Sequence, residues 1–242
     1  MDGMHAFAVG LVFVLAGGVK GITGMGLPTV AVSLLGLWMA PAQAAALLVV
    51  PSLATNIAQC RGPHARHLAA LLWPAWLALA VATVMVPEMS RAPSPINAHR
   101  LLGVVLVLYG LFGLWRPALA DLSRQATWVG VVAGAVTGLV TAATAVFVIP
   151  LGPYLQALRL DKDALIQALG LSFTVATLAL AVRVQMSGGL SLSGPSALAL
   201  AAAFVGLWLG TRVRNRISGP VFQRSLFVVF IGLGAANLLQ AS

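Results

Sequence analysis

Apolar residues run along the chain in long segments separated by short polar or proline-containing connections. Such segments are typical of membrane-spanning helices, because a helix satisfies its own backbone hydrogen bonds inside the bilayer. The pattern predicts an all-α polytopic membrane protein. The predicted segments are Met4 to Ile22, Pro28 to Met39, Pro41 to Gln59, Leu68 to Pro87, Ile96 to Leu114, Trp128 to Leu139, Ala145 to Leu158, Ala164 to Val184, Leu192 to Gly210 and Val221 to Leu239.

The first two segments lie within one apolar run, from Ala6 to Ala40, that is too long for a single span. A helix of that length would extend roughly 50 Å, whereas the hydrocarbon core is about 30 Å thick. Gly24, Gly26 and Pro28 mark the expected break, because glycine weakens a helix and proline has no N–H group. Inside a membrane, such a break survives only where it is buried in protein or lines a wet cavity. A broken helix that carries Lys20 therefore predicts a functional site.

Composition supports the membrane assignment. Of the 242 residues, 60% are hydrophobic and 8% are charged, and the mean hydropathy is +0.99, which excludes an ordinary soluble domain. The net charge of +9 favours topology-setting loop charges over a nucleic-acid partner, because the basic residues mostly fall between apolar segments. No Lys or Arg precedes the first segment, so we expect it to be retained rather than cleaved as a signal.

The sequence predicts neither a metal site nor a cofactor. Cys60 is the only cysteine, which excludes an internal disulfide and a cysteine-cluster metal site. The four histidines lack the spacing of metal ligands.

The two halves of the chain resemble each other. Gly17-x-x-x-Gly21 recurs as Gly134-x-x-x-Gly138 at an offset of 117. In this alignment, residues 24–28 face residues 141–145, and Ser52 later meets Ser172 at an offset of 120. The shared order predicts an internal duplication, with residues 1–119 and 120–242 as the two repeats of the membrane domain.

Loop charges favour opposite orientations for the two halves. If each broken run crosses the membrane once, the loop Lys and Arg residues divide 8 to 4 between the two faces; if each turns back, they divide 10 to 2. The positive-inside rule favours the second arrangement, with both termini extracytoplasmic. We therefore expect two inverted-topology repeats, each a broken or re-entrant helical hairpin followed by three transmembrane helices. Charge counting leaves open whether the hairpins are re-entrant or fully spanning.

The motif Gly-x-x-x-Gly-x-x-Gly-x-Gly-x-Pro near the start, together with Asn56-x-x-Gln59, resembles the TauE/SafE family, also called the 4-toluene sulfonate uptake permease family. The resemblance covers nearly the whole chain. It implies a bacterial inner-membrane carrier of sulfur-containing anions, such as sulfite, sulfoacetate or other organosulfonates, without enzymatic activity. The second half departs from the glycine-rich pattern, with Thr141-Ala-Ala-Thr144 in place of the first half's glycines.

Residues near the two breaks have the donor groups that an anion requires. Pro28 suits the first turn of the short second helix, whose free N–H groups and positive dipole end favour a negative ligand. Lys20 adds a charge, and hydroxyl and amide side chains add neutral donors. The predicted substrate-binding residues are Lys20, Thr23, Gly24, Met25, Gly26, Asn56, Gln59, Thr141 and Thr144.

Structural roles compete with these assignments. Lys20 would also suit a helix end from which its ammonium reaches the lipid surface. Asn56 and Gln59 would also suit hydrogen bonds between helices, and Thr141 and Thr144 would also suit bonds to their own helix. For Gly17 and Gly21, helix contact is favoured over ligand contact.

The predicted function is secondary transport of a small sulfur-containing anion across the bacterial inner membrane by alternating access. No carboxylate falls in the middle of a predicted span, which argues against a cation carrier, although coupling to H⁺ or Na⁺ remains open. A passive anion channel is the alternative, because the same donors would serve a pore. An intramembrane enzyme is disfavoured, because the chain lacks His-Glu-x-x-His and its acidic residues lie near loops. Assembly as a homodimer is also left open.

Overall fold

The computed structural model describes residues 3–86, 98–115, 121–122, 125–188, 194–214, 216 and 219–240. Within these residues the chain is helical, with no β-strand, which confirms the predicted all-α class. The helices are α1 (Gly3–Thr23), α2 (Leu27–Leu35), α3 (Pro41–Gln59), α4 (Ala65–Met85), α5 (Ala98–Trp115), α6 (Ala126–Thr144), α7 (Leu151–Ala157), α8 (Lys162–Met186), α9 (Gly194–Val213) and α10 (Gly219–Gln240).

Seven of the described helices, α1, α4, α5, α6, α8, α9 and α10, are long and apolar enough to cross a membrane. The short helices α2 and α7 have 9 and 7 residues, respectively. Large apolar side chains project outward from several of the long helices, including Phe7, Trp73, Leu108 and Val228. This apolar exterior is the surface that lipid tails would cover, as expected of a multi-pass membrane protein.

Helices from the two halves pack against each other in a regular pattern. The main pairs between the halves are α1 with α9, α4 with α6, α5 with α10 and α3 with α8. If α1–α5 are equated with α6–α10 in order, the pair of α1 with α9 becomes the pair of α6 with α4. The pair of α5 with α10 and the pair of α3 with α8 are each converted into themselves. This is the pairing that a duplication would produce; the duplication and the inverted orientation of the halves across a membrane both remain predictions.

Glycines allow the helix pairs to approach closely. A Cβ atom on Gly17 would lie 2.2 Å from the carbonyl oxygen of Ala203, so α1 and α9 meet backbone to backbone. On the equivalent pair, a Cβ on Gly134 would lie 2.1 Å from the carbonyl oxygen of Ala75. The predicted role of Gly17 in helix contact is therefore confirmed.

Most predicted segments match helices, but the prediction for the second break was wrong. We expected the segment from Trp128 to end at Leu139, whereas α6 continues to Thr144 and the helix-free stretch runs from Ala145 to Pro150. Residues 139–144 contain neither glycine nor proline, and therefore nothing in them ends a helix. The predicted connection Glu88 to Pro95, most of Arg116 to Ala126 and the boundary between residues 119 and 120 lie outside the described residues.

Candidate functional site

The predicted break in the first apolar run is present between α1 and α2. Gly24 and Gly26 have φ angles of 82° and 99°, which lie in the left-handed region that glycine adopts without steric cost. The Thr23 hydroxyl donates to the carbonyl oxygens of Val19 (2.9 Å) and Met25 (2.6 Å), and it accepts from the Met25 N–H (3.2 Å). The break is therefore a defined turn held by Thr23.

The helix after the break begins with buried donor groups. Pro28 lies in the first turn of α2, as predicted, and the N-cap position is occupied by Gly26, so no side chain caps the helix. The first N–H groups of a helix have no partner within it. Thr29, on the same turn, is fully buried, and its hydroxyl has no hydrogen-bond partner. This helix start thus combines a positive dipole end with an unsatisfied polar group.

The second break uses the same local hydrogen bonds without glycine. The Thr144 hydroxyl donates to the carbonyl oxygen of Val140 (2.8 Å) and accepts from the Val146 N–H (3.2 Å). Ala145 takes the position of Gly24, with a φ angle of 57°. Aligning the two breaks therefore places Thr23 on Thr144, at an offset of 121 residues. The predicted offset was 117 residues, which differs by one helical turn.

Lys20 is buried inside the protein. Its side chain is 1% exposed, and its ammonium donates to the Thr55 hydroxyl at 3.0 Å and to the Asn56 side-chain oxygen. The alternative in which Lys20 reaches toward the lipid surface is therefore wrong. Among the described residues, Lys20 is the only charged side chain in the buried core, and no carboxylate forms an ion pair with it.

The Lys20 cluster extends into the second half through Asn56. The Asn56 side-chain NH₂ group donates to the Thr177 hydroxyl at 3.2 Å and lies 3.4 Å from the Ser52 hydroxyl. Ser52 and Thr177 are themselves 3.1 Å apart, and Thr177 donates to the carbonyl oxygen of Phe173 at 2.7 Å. We call Lys20, Ser52, Thr55, Asn56 and Thr177 the lysine cluster. It joins α1 and α3 to α8.

Gln59 connects the end of α3 to the first break. Its side-chain NH₂ group donates to the carbonyl oxygen of Gly24 at 2.8 Å, whereas its side-chain oxygen is buried without a hydrogen-bond partner. A buried acceptor without a donor is uncommon in folded proteins. Gln59 therefore both supports the break and has an unused polar atom beside it.

A cavity of about 280 Å³ begins at the first break and runs between α5, α7 and α10. Thr23, Met25 and Gly26 of the first break line it together with Gln156 of α7, which is exposed. We call this space the break cavity. Its lining residues are Thr23, Met25, Gly26, Tyr109, Phe112, Gly113, Pro153, Gln156, Gln223, Leu226, Phe227 and Phe230.

The structure separates the predicted site residues into four groups. Thr23, Met25 and Gly26 line the break cavity, whereas Lys20 and Asn56 meet in the lysine cluster and Gln59 contacts Gly24. Thr141 and Thr144 lie in the last turns of α6, and their hydroxyls donate to Thr137 and Val140 of the same helix. The substrate-binding role of all nine residues, Lys20, Thr23, Gly24, Met25, Gly26, Asn56, Gln59, Thr141 and Thr144, remains a prediction.

Several polar residues near the first break were missed in the sequence analysis. Thr55 and Thr177 are fully buried and complete the lysine cluster, and Thr29 has an unpaired hydroxyl at the start of α2. A search for hydroxyl residues next to the predicted donors would have found Thr55, which precedes Asn56. Thr177 gives no comparable signal, because its role depends on how α3 packs against α8.

Comparison with protein families gives one match over nearly the whole chain. The model of the family described as "Sulfite exporter TauE/SafE" matches residues 9–237. Comparison with curated proteins and with solved structures gives no match. The matched region includes both breaks, the lysine cluster and the break cavity.

Proposed function

Because the chain belongs to the TauE/SafE sulfite exporter family, whose members are membrane transporters of sulfur anions, we propose that it is a secondary transporter for one such anion. The substrate would be sulfite or an organosulfonate such as sulfoacetate. Transport would proceed by alternating access across the bacterial inner membrane. The observation that supports this most strongly is the buried ammonium of Lys20, four residues before Gly24 of the first break and without a carboxylate partner among the described residues.

The electrostatics of the first break favour a negative ligand. An uncompensated buried ammonium is costly, and a substrate anion would supply the missing opposite charge. The α2 start adds the positive end of a helix dipole, and broken helices of transporters commonly present such ends to anionic groups. In this proposal Lys20, Thr23, Gly24, Met25 and Gly26 form the anion-binding side of the site.

Asn56 and Gln59 would change their hydrogen bonds when the anion binds. Asn56 currently accepts from Lys20, and Gln59 holds the Gly24 carbonyl group. An incoming oxyanion would compete with Asn56 for the ammonium, because charge-assisted hydrogen bonds are stronger than bonds to a neutral amide. Thr141 and Thr144 would contribute from the second break only by giving up their bonds to α6.

The pairing of helices from the two halves supports alternating access. In transporters with inverted repeats, each half provides the same element on opposite sides of the membrane, and the two sides open in turn. We propose that residues 1–119 and 120–242 are such repeats. The break cavity, between the first break, α5, α7 and α10, would then have a counterpart between the second break, α10, α2 and α5.

At the proposed counterpart, the residue that follows α2 packs closely against α5 and α10. A Cβ atom on Gly36 would lie 3.0 Å from the Asn237 side-chain oxygen and 3.1 Å from Leu102 of α5. The Asn237 side-chain oxygen is buried and has no hydrogen-bond partner. Opening of this region would give Asn237 a water partner and so offset part of the cost of separating the helices.

A binding panel on purified protein in detergent tests the proposal. Sulfite, sulfoacetate, taurine, thiosulfate and sulfate would be compared by thermal shift, because a ligand that binds the folded state raises the midpoint of unfolding. The chain has only two lysines, which provides a matched control: Lys20→Met removes the buried charge, and Lys162→Met removes an exposed one. We expect stabilisation by at least one sulfur anion, lost in Lys20→Met and kept in Lys162→Met. Equal stabilisation of both variants would remove Lys20 from the site.

A further inference from the structure

One face of α8 holds the end of α3 in place. Gln167, Gly170, Thr174 and Thr177 of α8 are spaced three or four residues apart, so they lie along a single side of the helix. Thr177 contacts α3 within the lysine cluster. The other three contact the last residue of α3, Gln59, and the connection after it.

Gln167 uses its whole side-chain amide on the connection between α3 and α4. Its NH₂ group donates to the carbonyl oxygens of Cys60 (2.8 Å) and Gly62 (3.0 Å), and its oxygen accepts from the His64 N–H (3.0 Å). Gln167 is only 2% exposed. A glycine at position 62 makes room for it, because a Cβ atom there would lie 2.6 Å from the Gln167 side-chain oxygen. Three hydrogen bonds from one buried side chain therefore fix this connection on α8.

The end of α3 depends on these bonds, because a helix does not satisfy its own last carbonyl groups. Cys60 is the C-cap of α3, and Gln167 gives its carbonyl oxygen a partner. Gly170 lets the two helices meet at the same point, since a Cβ atom on it would lie 2.7 Å from the Gln59 Cβ. The last turn of α3 is therefore held on α8 by both a hydrogen bond and close packing.

The position of this helix end determines where Gln59 lies. Gln59 is the last residue of α3, and its side-chain NH₂ group donates to the Gly24 carbonyl oxygen at 2.8 Å. We propose that Gln167 is a positioning residue for the anion site, which holds the end of α3 so that Gln59 reaches the first break. This inference rests on the proposed function and adds a residue of the second half to its site. Loss of Gln167 would let the last turn of α3 fray, and Gln59 would then move away from Gly24.

The only cysteine of the chain reports the position of the α3 end independently of any anion. Cys60 is partly exposed, and its thiol lies 3.3 Å from the Thr174 hydroxyl on α8. Purified full-length protein in nanodiscs would be treated with N-ethylmaleimide, and the rate of modification would be followed by mass spectrometry. Gln167→Met, which removes all three hydrogen bonds, should raise this rate at least about fivefold, because even one net hydrogen bond changes an equilibrium by about that factor.

A second variant reaches the same contact from the other side. Gly62→Ala places a Cβ atom against the Gln167 side chain and should also speed the modification of Cys60. The matched control is Gln185→Met, because Gln185 lies on the same helix but is exposed, and it should leave the rate unchanged. An unchanged rate in Gln167→Met would overturn the proposal, and Gly62→Ala decides the question if Gln167→Met does not fold.

Anion binding separates a positioning role from a merely structural one. Sulfite and sulfoacetate would be titrated by calorimetry into equal concentrations of folded wild type and variants. Gln167→Met should weaken the binding of the anion that the wild type binds by about threefold to tenfold, through the loss of roughly one hydrogen bond at Gln59. In a Gln59→Ala background the same change should have little effect, because the residue that Gln167 positions is absent. Gln185→Met should bind the anion as the wild type does.

The outcomes are distinguishable from a failure of the proposed function. Faster modification of Cys60 with unchanged anion affinity would make Gln167 merely structural, and the transporter proposal would stand. An equal loss of affinity with and without Gln59 would show that Gln167 does not act through that residue, which also overturns the inference. If the wild type binds neither anion, the proposed function fails, and the role of Gln167 in an anion site fails with it.

Discussion

The side-chain NH₂ group of Asn56 donates a hydrogen bond to the Thr177 hydroxyl over 3.2 Å. Asn56 lies on α3 in the first half of the chain, and Thr177 lies on α8 in the second. The other end of the same amide accepts from the ammonium of Lys20. A single side chain therefore links the buried charge near the first break to the opposite half of the protein.

Replacing Asn56 should lower the free energy of unfolding more than replacing Thr177. Hydrogen bonds between membrane helices contribute about 0.6 kcal/mol on average, so Thr177→Val should lower the free energy of unfolding by about 0.5–1 kcal/mol. Asn56→Ala should cost about 1–3 kcal/mol, because it deprives the buried ammonium of an acceptor. Unfolding of each purified variant and of the wild type in mixed micelles measures both changes in the free energy of unfolding.

A double-mutant comparison shows whether the ammonium causes the difference. In a Lys20→Met background, Asn56→Ala should cost clearly less than in the wild type, because no charge is left unpaired. The same cost in both backgrounds would contradict the interpretation. Thr174→Val is a suitable control, because the Thr174 hydroxyl contacts Gly170 and Cys60 rather than the lysine cluster.

The adjacent glycines Gly17 and Gly18 should respond differently to alanine. A Cβ on Gly17 would meet the Ala203 carbonyl oxygen at 2.2 Å, whereas a Cβ on Gly18 would lie 3.7 Å from its nearest neighbour, the carbonyl oxygen of Gly206. We expect Gly17→Ala to separate α1 from α9 at a cost of about 1–3 kcal/mol. Gly18→Ala should be neutral or stabilising by up to about 1 kcal/mol, because alanine favours a helix. A larger loss for Gly18→Ala than for Gly17→Ala in unfolding measurements would refute the packing assignment.

Replacing glycine by alanine at the first break and alanine by glycine at the second should have opposite effects on the stability of the protein. Ala145 has a φ angle of 57° and Gly24 one of 82°, and alanine in this region costs about 1–2 kcal/mol. Gly24→Ala should therefore destabilise the protein by about that amount. Ala145→Gly should be neutral or stabilising by up to about 1 kcal/mol, because relief of strain is partly offset by greater freedom of the unfolded chain. Thermal unfolding of the two variants in parallel tests this, and destabilisation by Ala145→Gly would show that Ala145 is not strained.

Much of the fold could be predicted from the sequence, because bilayer thickness limits the length of each apolar segment. The break at Gly24 was visible because glycine and proline interrupt a helix directly. The break at Ala145 was misplaced because an alanine in the left-handed conformation is imposed by its surroundings rather than by its own preference. The hydrogen bonds of the Thr144 hydroxyl at this break can be seen only in the structure.

The candidate site could be predicted only in part. Lys20 and Asn56 were both identified, because a charge and an amide are rare in apolar segments. Thr177 could not be found in the same way, since a threonine inside a helix commonly bonds to its own backbone. The break cavity could not be predicted from the sequence either, because Tyr109, Gln156 and Phe230 come together only through the arrangement of α5, α7 and α10.

The inverted arrangement predicts the location of two points of the chain. A reporter fused at Ser242 should be extracytoplasmic, and one inserted near His64 should be cytoplasmic, because the Lys and Arg residues then divide 10 to 2 in favour of the cytoplasm. Paired phosphatase and fluorescent-protein fusions in bacterial cells provide the measurement. Finding both points on the same face would rule out the inverted model. A fusion after Trp115, which the model also places in the cytoplasm, serves as a control.

The most direct test of the central claim is counterflow in proteoliposomes. Vesicles containing the wild type, Lys20→Met or Lys162→Met would be loaded with unlabelled sulfite or sulfoacetate and diluted into a trace of the same labelled anion. A carrier that uses Lys20 should accumulate the label transiently in the wild type and in Lys162→Met, and at least about tenfold less in Lys20→Met, because loss of a buried charge partner costs well over 1.4 kcal/mol. Passive equilibration without accumulation, or equal counterflow in Lys20→Met, would contradict the account.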